Sequence, residues 1–371
     1  MRSMLRDLST SLVEIPSHED ETAVGEFIVD WLREETAASV STDETGNVFA
    51  RIGTGHPSLA LVGHHDVVEP DVSQVDGEEY LVEVEDGRLY GRGSADMKGA
   101  LAAMLLVLKR VDPAGELVFA SFVGEEQGGV GAREAIDDGF SPEYAVVGEG
   151  SASYSAPGVL DVAIAHKGRR GSTVEASGTA AHASEPERGE NAIYRATDAV
   201  RTIRDLPAPS ATVLGHEVEG SLVVTEIDGG SAWNVVPESC TVTVDERTVP
   251  GDRADLGAIE SIAGVDWSVD QDLPPMQCPD REFADHVLEA SRNAHTNDEG
   301  STDESGHVPE HVIKPHATDA GWLSQAGTTC VVCGPAEPGE AHTATESVSL
   351  SLLERTYECY LHLAESWPGQ E

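Results

Sequence analysis

Three short apolar runs, each closed by glycine, set the strongest limit on how this chain folds: Leu59 to Gly63, Leu117 to Gly124 and Tyr144 to Gly148. Runs of that length between turn residues read as strands buried on both faces. Helical spacing surrounds them. Residues about 4 to 13 and 20 to 35 repeat apolar side chains at helical intervals, the second stretch led by Ser17 and by acidic residues that suit a helix start. A further helix, Ala100 to Val111, lies between the first two runs and is closed by Asp112-Pro113. Strands that alternate with helices pair in parallel, because the return between parallel strands needs a crossover long enough to hold a helix. The first third therefore predicts an α/β layer with a mostly parallel twisted sheet flanked by helices.

The pattern changes at Lys167-Gly168-Arg169-Arg170-Gly171-Ser172. Beyond it come a stretch of alternating apolar positions, a helix near Asn191 to Arg204, and strands at Ser221 to Ile227 and Cys240 to Asp245. A helix about Asp252 to Ala263 and a strand near Val265 to Val269 follow, an order that predicts a small α+β sandwich. From about Pro279 the α/β character resumes with a helix (Phe283 to Ala294), the strand Thr328 to Cys333 and a closing helix (Ser349 to Ala364). The expected plan is a discontinuous larger domain, 1–168 and 279–371, with a smaller one, 169–278, inserted. The acidic segment from about 295 to 310 reads as a solvated loop.

Charge narrows the class of partner. The chain has 67 acidic and 23 basic residues and a formal net charge of −44. Binding to nucleic acid or to an anionic membrane surface needs a clustered basic footprint, and the sequence contains none. The longest apolar run, about Ala100 to Leu108, is bounded by Lys98 and Lys109-Arg110 and is too short to span a bilayer. No apolar stretch follows the charged amino terminus, so the expectation is a cytoplasmic protein. The five cysteines, Cys240, Cys278, Cys330, Cys333 and Cys359, are odd in number and argue against a disulfide framework. Cys330-Val-Val-Cys333 has no second pair elsewhere and reads as part of a buried strand.

Histidines and carboxylates collect where the strands end. The first run leads into His64-His65-Asp66, a pattern that suits a metal-ligating imidazole oriented by a neighbouring carboxylate. Gly91 to Gly99 is a glycine-rich turn feeding a helix, with Asp96 at its mouth. The second run ends in Glu125-Glu126, adjacent carboxylates that repel unless a cation neutralises one, and the third ends at Glu149. The strand Thr328 to Cys333 leads through Gly334-Pro335 to His342. Ligands in an open α/β sheet gather at the carboxyl ends of its strands, so five segments converging there point to a metal site. In so acidic a chain the histidines weigh more in that argument than any single glutamate.

Taken together and in order, these motifs resemble the two-zinc amidohydrolases that include acetylornithine deacetylase, succinyl-diaminopimelate desuccinylase and carboxypeptidase G. The resemblance implies a zinc-peptidase-like catalytic domain with an inserted ferredoxin-like lid that also dimerises. It implies His64 and Glu149 on one metal, Glu126 and His342 on the other, and Asp96 bridging them, followed by a cis peptide to Met97. Asp66 matches the residue that orients His64, and Glu125 the general base. Ala181-His182-Ala183-Ser184, running on to Asn191, resembles the lid segment whose histidine reaches the partner subunit's active site. The resemblance also implies that Asn234, Arg247 and Thr318 bind substrate, the arginine suited by its planar fork to a carboxylate. The expected cofactors are two divalent ions, Zn2+ first, with Co2+ or Mn2+ able to replace it.

Two positions depart from the family pattern. His316-Ala317 stands where glycines usually precede Thr-Asp in a late substrate loop, and Gly150 follows Glu149 in place of a common proline. The expected reaction is hydrolysis of an N-acyl amide on an amino or diamino acid, acetylornithine first and succinyl-diaminopimelate second, by a homodimer. A dipeptidase or carboxypeptidase is the next reading. An inactive metal-binding scaffold would have lost a ligand or Glu125, and none is lost.

The remaining acids read as adaptation to salt. A surface of net −44 self-repels in dilute buffer, whereas at 1 M salt the screening length falls to about 3 Å. The source expected is the cytoplasm of a salt-accumulating halophile. The melting temperature should rise between dilute buffer and molar salt, and a flat or falling curve would contradict that reading.

Overall fold

The computed structural model describes residues 2–296 and 307–367. Much of the acidic 295–310 segment lies outside the described residues. The chain divides into two compact units, one comprising Met1–Ala165, Gln277–Lys314 and Thr318–Glu371, the other His166–Met276 with Pro315–Ala317.

The larger unit is built on a sheet whose strands lie in the order Ser39–Thr42, Val48–Ile52, Leu117–Phe122, Leu59–His64, Tyr144–Val147, Thr329–Val332, Val162–His166. Its heart is parallel: Leu59–His64 pairs with Leu117–Phe122 on one side and Tyr144–Val147 on the other, and Thr329–Val332 continues the series. The margins are antiparallel. All six residues of Leu59–His64 and of Leu117–Phe122 are buried, as their unbroken apolar runs require. The helix Gly99–Arg110 is buried continuously from Gly99 to Leu108 and packs against the closing helix Leu350–Ser366. Between strand and helix, Ser94–Lys98 turns through non-helical angles at Asp96 and Met97, across a cis Asp96–Met97 bond. Gly63 leaves room for the Met97 and Leu101 side chains, since a Cβ there would lie 2.5 Å from Met97 Cε and 2.8 Å from Leu101 Cδ2.

In the smaller unit the strands Arg169–Ser177, Ser221–Gly229, Ser239–Arg247 and Val265–Leu273 form an antiparallel sheet. Numbered along the chain, their spatial order is 2-3-1-4. The helix Ala192–Asp205 starts at Asn191, whose side chain accepts from the amides of Ile193 and Tyr194. Its alanine-rich face packs on Val174, Val242 and Val244. A helix was expected at 252–263. The structure has instead a short 3-10 helix, Leu256–Ser261, whose buried residues Leu256 and Ile259 stand three apart, the spacing that eclipses in that helix type. All five cysteines are free and buried.

The parallel pairing runs on past the strand ends, with the Cys333 amide donating to the Val147 carbonyl and the Ser151 amide to the Gly334 carbonyl. A Cβ on Gly334 would lie 1.9 Å from the Gly148 carbonyl oxygen, and backbone has no rotamer with which to yield. Gly334→Ala should therefore lower stability by about 2–3 kcal/mol. Thermal unfolding checks this, and an unshifted midpoint would show that the two loops part freely.

Candidate active site

Asp66 organises the carboxyl end of the sheet. Its Oδ1 accepts from the Glu125 amide (3.1 Å) and its Oδ2 from the Glu126 amide (3.0 Å), which fixes the turn after Leu117–Phe122. The same carboxylate stands 3.3 Å from His64 Nδ1, which also faces the Asp66 carbonyl at 3.1 Å. Acceptors at Nδ1 keep a proton there and turn Nε2 toward the other carboxylates. Burial alone would favour the neutral acid, but His64 and the two amides outweigh it and hold Asp66 below the ordinary carboxylate range. His65 does not join the site: its Nδ1 contacts Ser121 Oγ at 2.8 Å, and burial drives it down to about 3, so it is neutral.

Asp96 presents one oxygen to each of two groups. Its Oδ1 lies 3.0 Å from His64 Nε2, and Glu149 Oε1 lies 3.2 Å from the same nitrogen. Its Oδ2 lies 3.1 Å from His342 Nε2, with Glu126 Oε1 2.8 Å from that nitrogen. Ligand atoms of His64, Asp96 and Glu149 lie within 4.8 Å of one another, and so do those of Asp96, Glu126 and His342. Each trio has one imidazole, one glutamate and the shared aspartate, a hard and borderline donor set that fits a divalent ion such as Zn2+. His342 sits in left-handed backbone (φ 64°), strain that a non-glycine residue keeps only where its surroundings hold it.

The electrostatics are those of crowded carboxylates. Burial, then the charges of Asp319, Glu149 and Glu126, push Glu125 well above its ordinary range against the pull of His64, and burial raises Glu126. Contacts with Asp96 and Glu126 push His342 up to about 10. His64 is raised as well, its three carboxylate neighbours overcoming burial.

Three residues that were assigned no role from sequence support this cluster. Glu346 is buried, accepts from the amides of Ala95 (3.0 Å) and Asp96 (3.1 Å) and pairs with Arg92, so it fixes the backbone that aims Asp96. Lys314 is buried beside Glu149, with 3.5 Å between its Nζ and Glu149 Oε2. Asp319 is buried with neither carboxylate oxygen hydrogen-bonded among the described residues, and burial pushes it up to about 8. Thr318 is buried, and its side-chain oxygen accepts from the Ala320 amide to cap the helix Asp319–Gln325.

The smaller unit carries the other expected residues. His182 is exposed on the two-residue strand Ala181–His182, paired with Val235–Val236. Its Nδ1 accepts from the Ser184 amide (3.2 Å), which places the proton of the neutral ring on Nε2. His182 pairs with Val235, and the Ala183 amide donates to the Asn234 carbonyl at 2.9 Å, so Asn234 lies across from the residue after His182. Arg247 ends the strand Ser239–Arg247 with its Nε on Asp245 Oδ1 at 2.9 Å. His316 is exposed in the Pro315–Ala317 segment of this unit.

Paired histidine–carboxylate groups sharing one carboxylate, at the strand ends of an α/β sheet, have the arrangement of a two-metal hydrolase. The pattern of Peptidase family M20/M25/M40 matches residues 60–366, and the chain belongs to that family. It is 31% identical over 317 residues to acetylornithine deacetylase of Myxococcus xanthus, covering 82% of this chain and 78% of that one. Over 215 residues it is 31% identical to succinyl-diaminopimelate desuccinylase of Anaplasma marginale, covering 55% and 54%. The crystal structure of aminopeptidase PepT from Bacillus cereus superposes with a TM-score of 0.79 at 20% identity, covering 98% of each chain. Among the described residues no helix is long and apolar enough to cross a membrane.

An ion held by His64 or His342 would have to displace a proton from an imidazole whose carboxylate neighbours favour the charged form, His342 being pushed up to about 10. A value of about 10 means a protonated His342 at pH 7, and His64 is raised in the same direction, so affinity for the ions should increase as pH rises. Calorimetry in buffers of different ionisation heat should read about one or more protons released per chain at pH 7. Uptake that releases none would contradict the ligand assignment.

Proposed function

We propose that the protein removes the acyl group from an N-acyl amino or diamino acid, with acetylornithine the first substrate to try. The observation that carries this reading is Asp96, with one oxygen on each histidine–carboxylate group, and Glu125 on the turn that Asp66 holds beside them. His64, Asp96 and Glu149 would hold one ion and Asp96, Glu126 and His342 the other, with Zn2+ the expected metal. Two such ions supply an activated water and polarise the scissile carbonyl.

Glu125 takes the proton of that water as its oxygen attacks the carbonyl carbon, then returns the proton to the nitrogen as the carbon–nitrogen bond breaks. Asp66 acts as the positioning residue for both His64 and the Glu125 turn. His182 donates from Nε2 to the developing oxyanion, working from the partner subunit of a homodimer formed through the inserted domain, 169–278. Asn234 and Arg247 bind the substrate carboxylate, and Thr318 lines the pocket. The protein works in the cytoplasm of a salt-accumulating cell.

The likeness to a succinyl-diaminopimelate desuccinylase supports a second reading, a succinyl in place of the acetyl group. A panel of acetylornithine, succinyl-diaminopimelate and dipeptides separates the two and includes the peptidase alternative. The acetyl reading expects the largest kcat/KM on acetylornithine, and turnover of dipeptides alone would overturn it. Glu125→Ala should keep its full complement of ions by elemental analysis while losing at least about 100-fold in kcat. An active Glu125→Ala enzyme would remove the general base from the scheme.

A further inference from the structure

Of the chain's four lysines, Lys98 and Lys314 are buried, and Lys314 stands against a proposed metal ligand. It closes the strand His311–Lys314, which pairs with Val162–His166. Its Nζ donates to the Gly150 carbonyl at 2.8 Å and faces Glu149 Oε2 at 3.5 Å. The other oxygen of that carboxylate, Oε1, is the one 3.2 Å from His64 Nε2. The two oxygens of Glu149 are thus divided, one toward the imidazole and Asp96, the other toward an ammonium. Glu126 is different: among the described residues no lysine or arginine pairs with it.

A buried ammonium costs free energy unless it is paired, and one placed beside a cation site also repels the ion it adjoins. That arrangement persists at a cost to affinity, which calls for a function. We propose that Lys314 is a positioning residue that holds back Oε2 of Glu149, so that this glutamate gives a single oxygen to the ion at His64 and Asp96. The inference rests on the two-ion reading above. An ion with three protein donors keeps a position for water or substrate, whereas a glutamate binding through both oxygens would fill it. The two sites therefore differ: the ion beside Lys314 is held more weakly and stays more open than the ion beside His342.

The test uses Co2+ as the probe on the full chain, stripped with chelator, in a His342→Ala background that leaves the first site to be read alone. Lys314→Met and Lys314→Gln should bind Co2+ about tenfold or more tightly, since a like charge has been removed. Their visible absorption per bound ion should fall as the coordination number rises. Lys314→Arg, which keeps the charge, should retain the parent spectrum. If Lys314→Met does not fold, Lys314→Gln, which can still donate to the Gly150 carbonyl, carries the comparison. Unchanged spectrum and affinity in the neutral variants, or weaker binding, would overturn the role of Lys314 alone. Failure of the unsubstituted chain to take up two Co2+ ions would overturn the two-ion reading and this inference with it.

Discussion

Repulsion among carboxylates is the constraint around which the site is arranged. Asp66, Asp96, Glu125, Glu126 and Glu149 converge on the end of one sheet, with Asp319 buried behind them, and the basic groups facing them are His64, His342 and Lys314. Such a set holds together only if positive charge enters it. Without ions, protons are favoured instead: carboxylate contacts raise both histidines, and burial raises Glu125 and Glu126. Divalent ions are the more effective replacement, and the division of Asp96 between two imidazoles gives places for two of them.

The fold creates that convergence cheaply. Parallel strands end on the same side, so the loops after Leu59–His64, Leu117–Phe122, Tyr144–Val147 and Thr329–Val332 meet without any long excursion of the chain. Close backbone approach fixes the loops against one another, as at Gly334 and Gly148. Hydrogen bonds then set the side chains: Asp66 ties the first loop to the second, and Glu346 ties the His342 loop to the turn that carries Asp96. The placement of these side chains is largely the work of two carboxylates, Asp66 and Glu346, that accept from backbone amides.

Much of this was legible in the sequence because it depends on local signals. An apolar run that stops at glycine and is followed by His or Glu marks a strand end, and three such places yielded His64, Glu125, Glu126 and Glu149, while Asp96 came from the glycine-rich turn Gly91 to Gly99 and His342 from the segment after Thr328 to Cys333. What the sequence concealed was pairing across long separations. Glu346 contacts the amide of Asp96, 250 residues earlier, and Lys314 pairs with Glu149, 165 residues earlier. Among 67 acids neither Glu346 nor Asp319 carries a local mark that distinguishes it from a solvated one. His64 and His65 are neighbours of the same type, and only the strand's alternation sends one into the site and the other to Ser121. The short helix at Leu256–Ser261 was overestimated because two apolar residues three apart satisfy either helix type.

The central claim is that Asp96 is shared by two ions, and metal stoichiometry tests it most directly. Elemental analysis of protein purified without chelator should find about two divalent ions per chain, with one lost in His342→Ala and both weakened together in Asp96→Ala. One ion or none in the unsubstituted protein, or two ions retained by Asp96→Ala, would contradict the account.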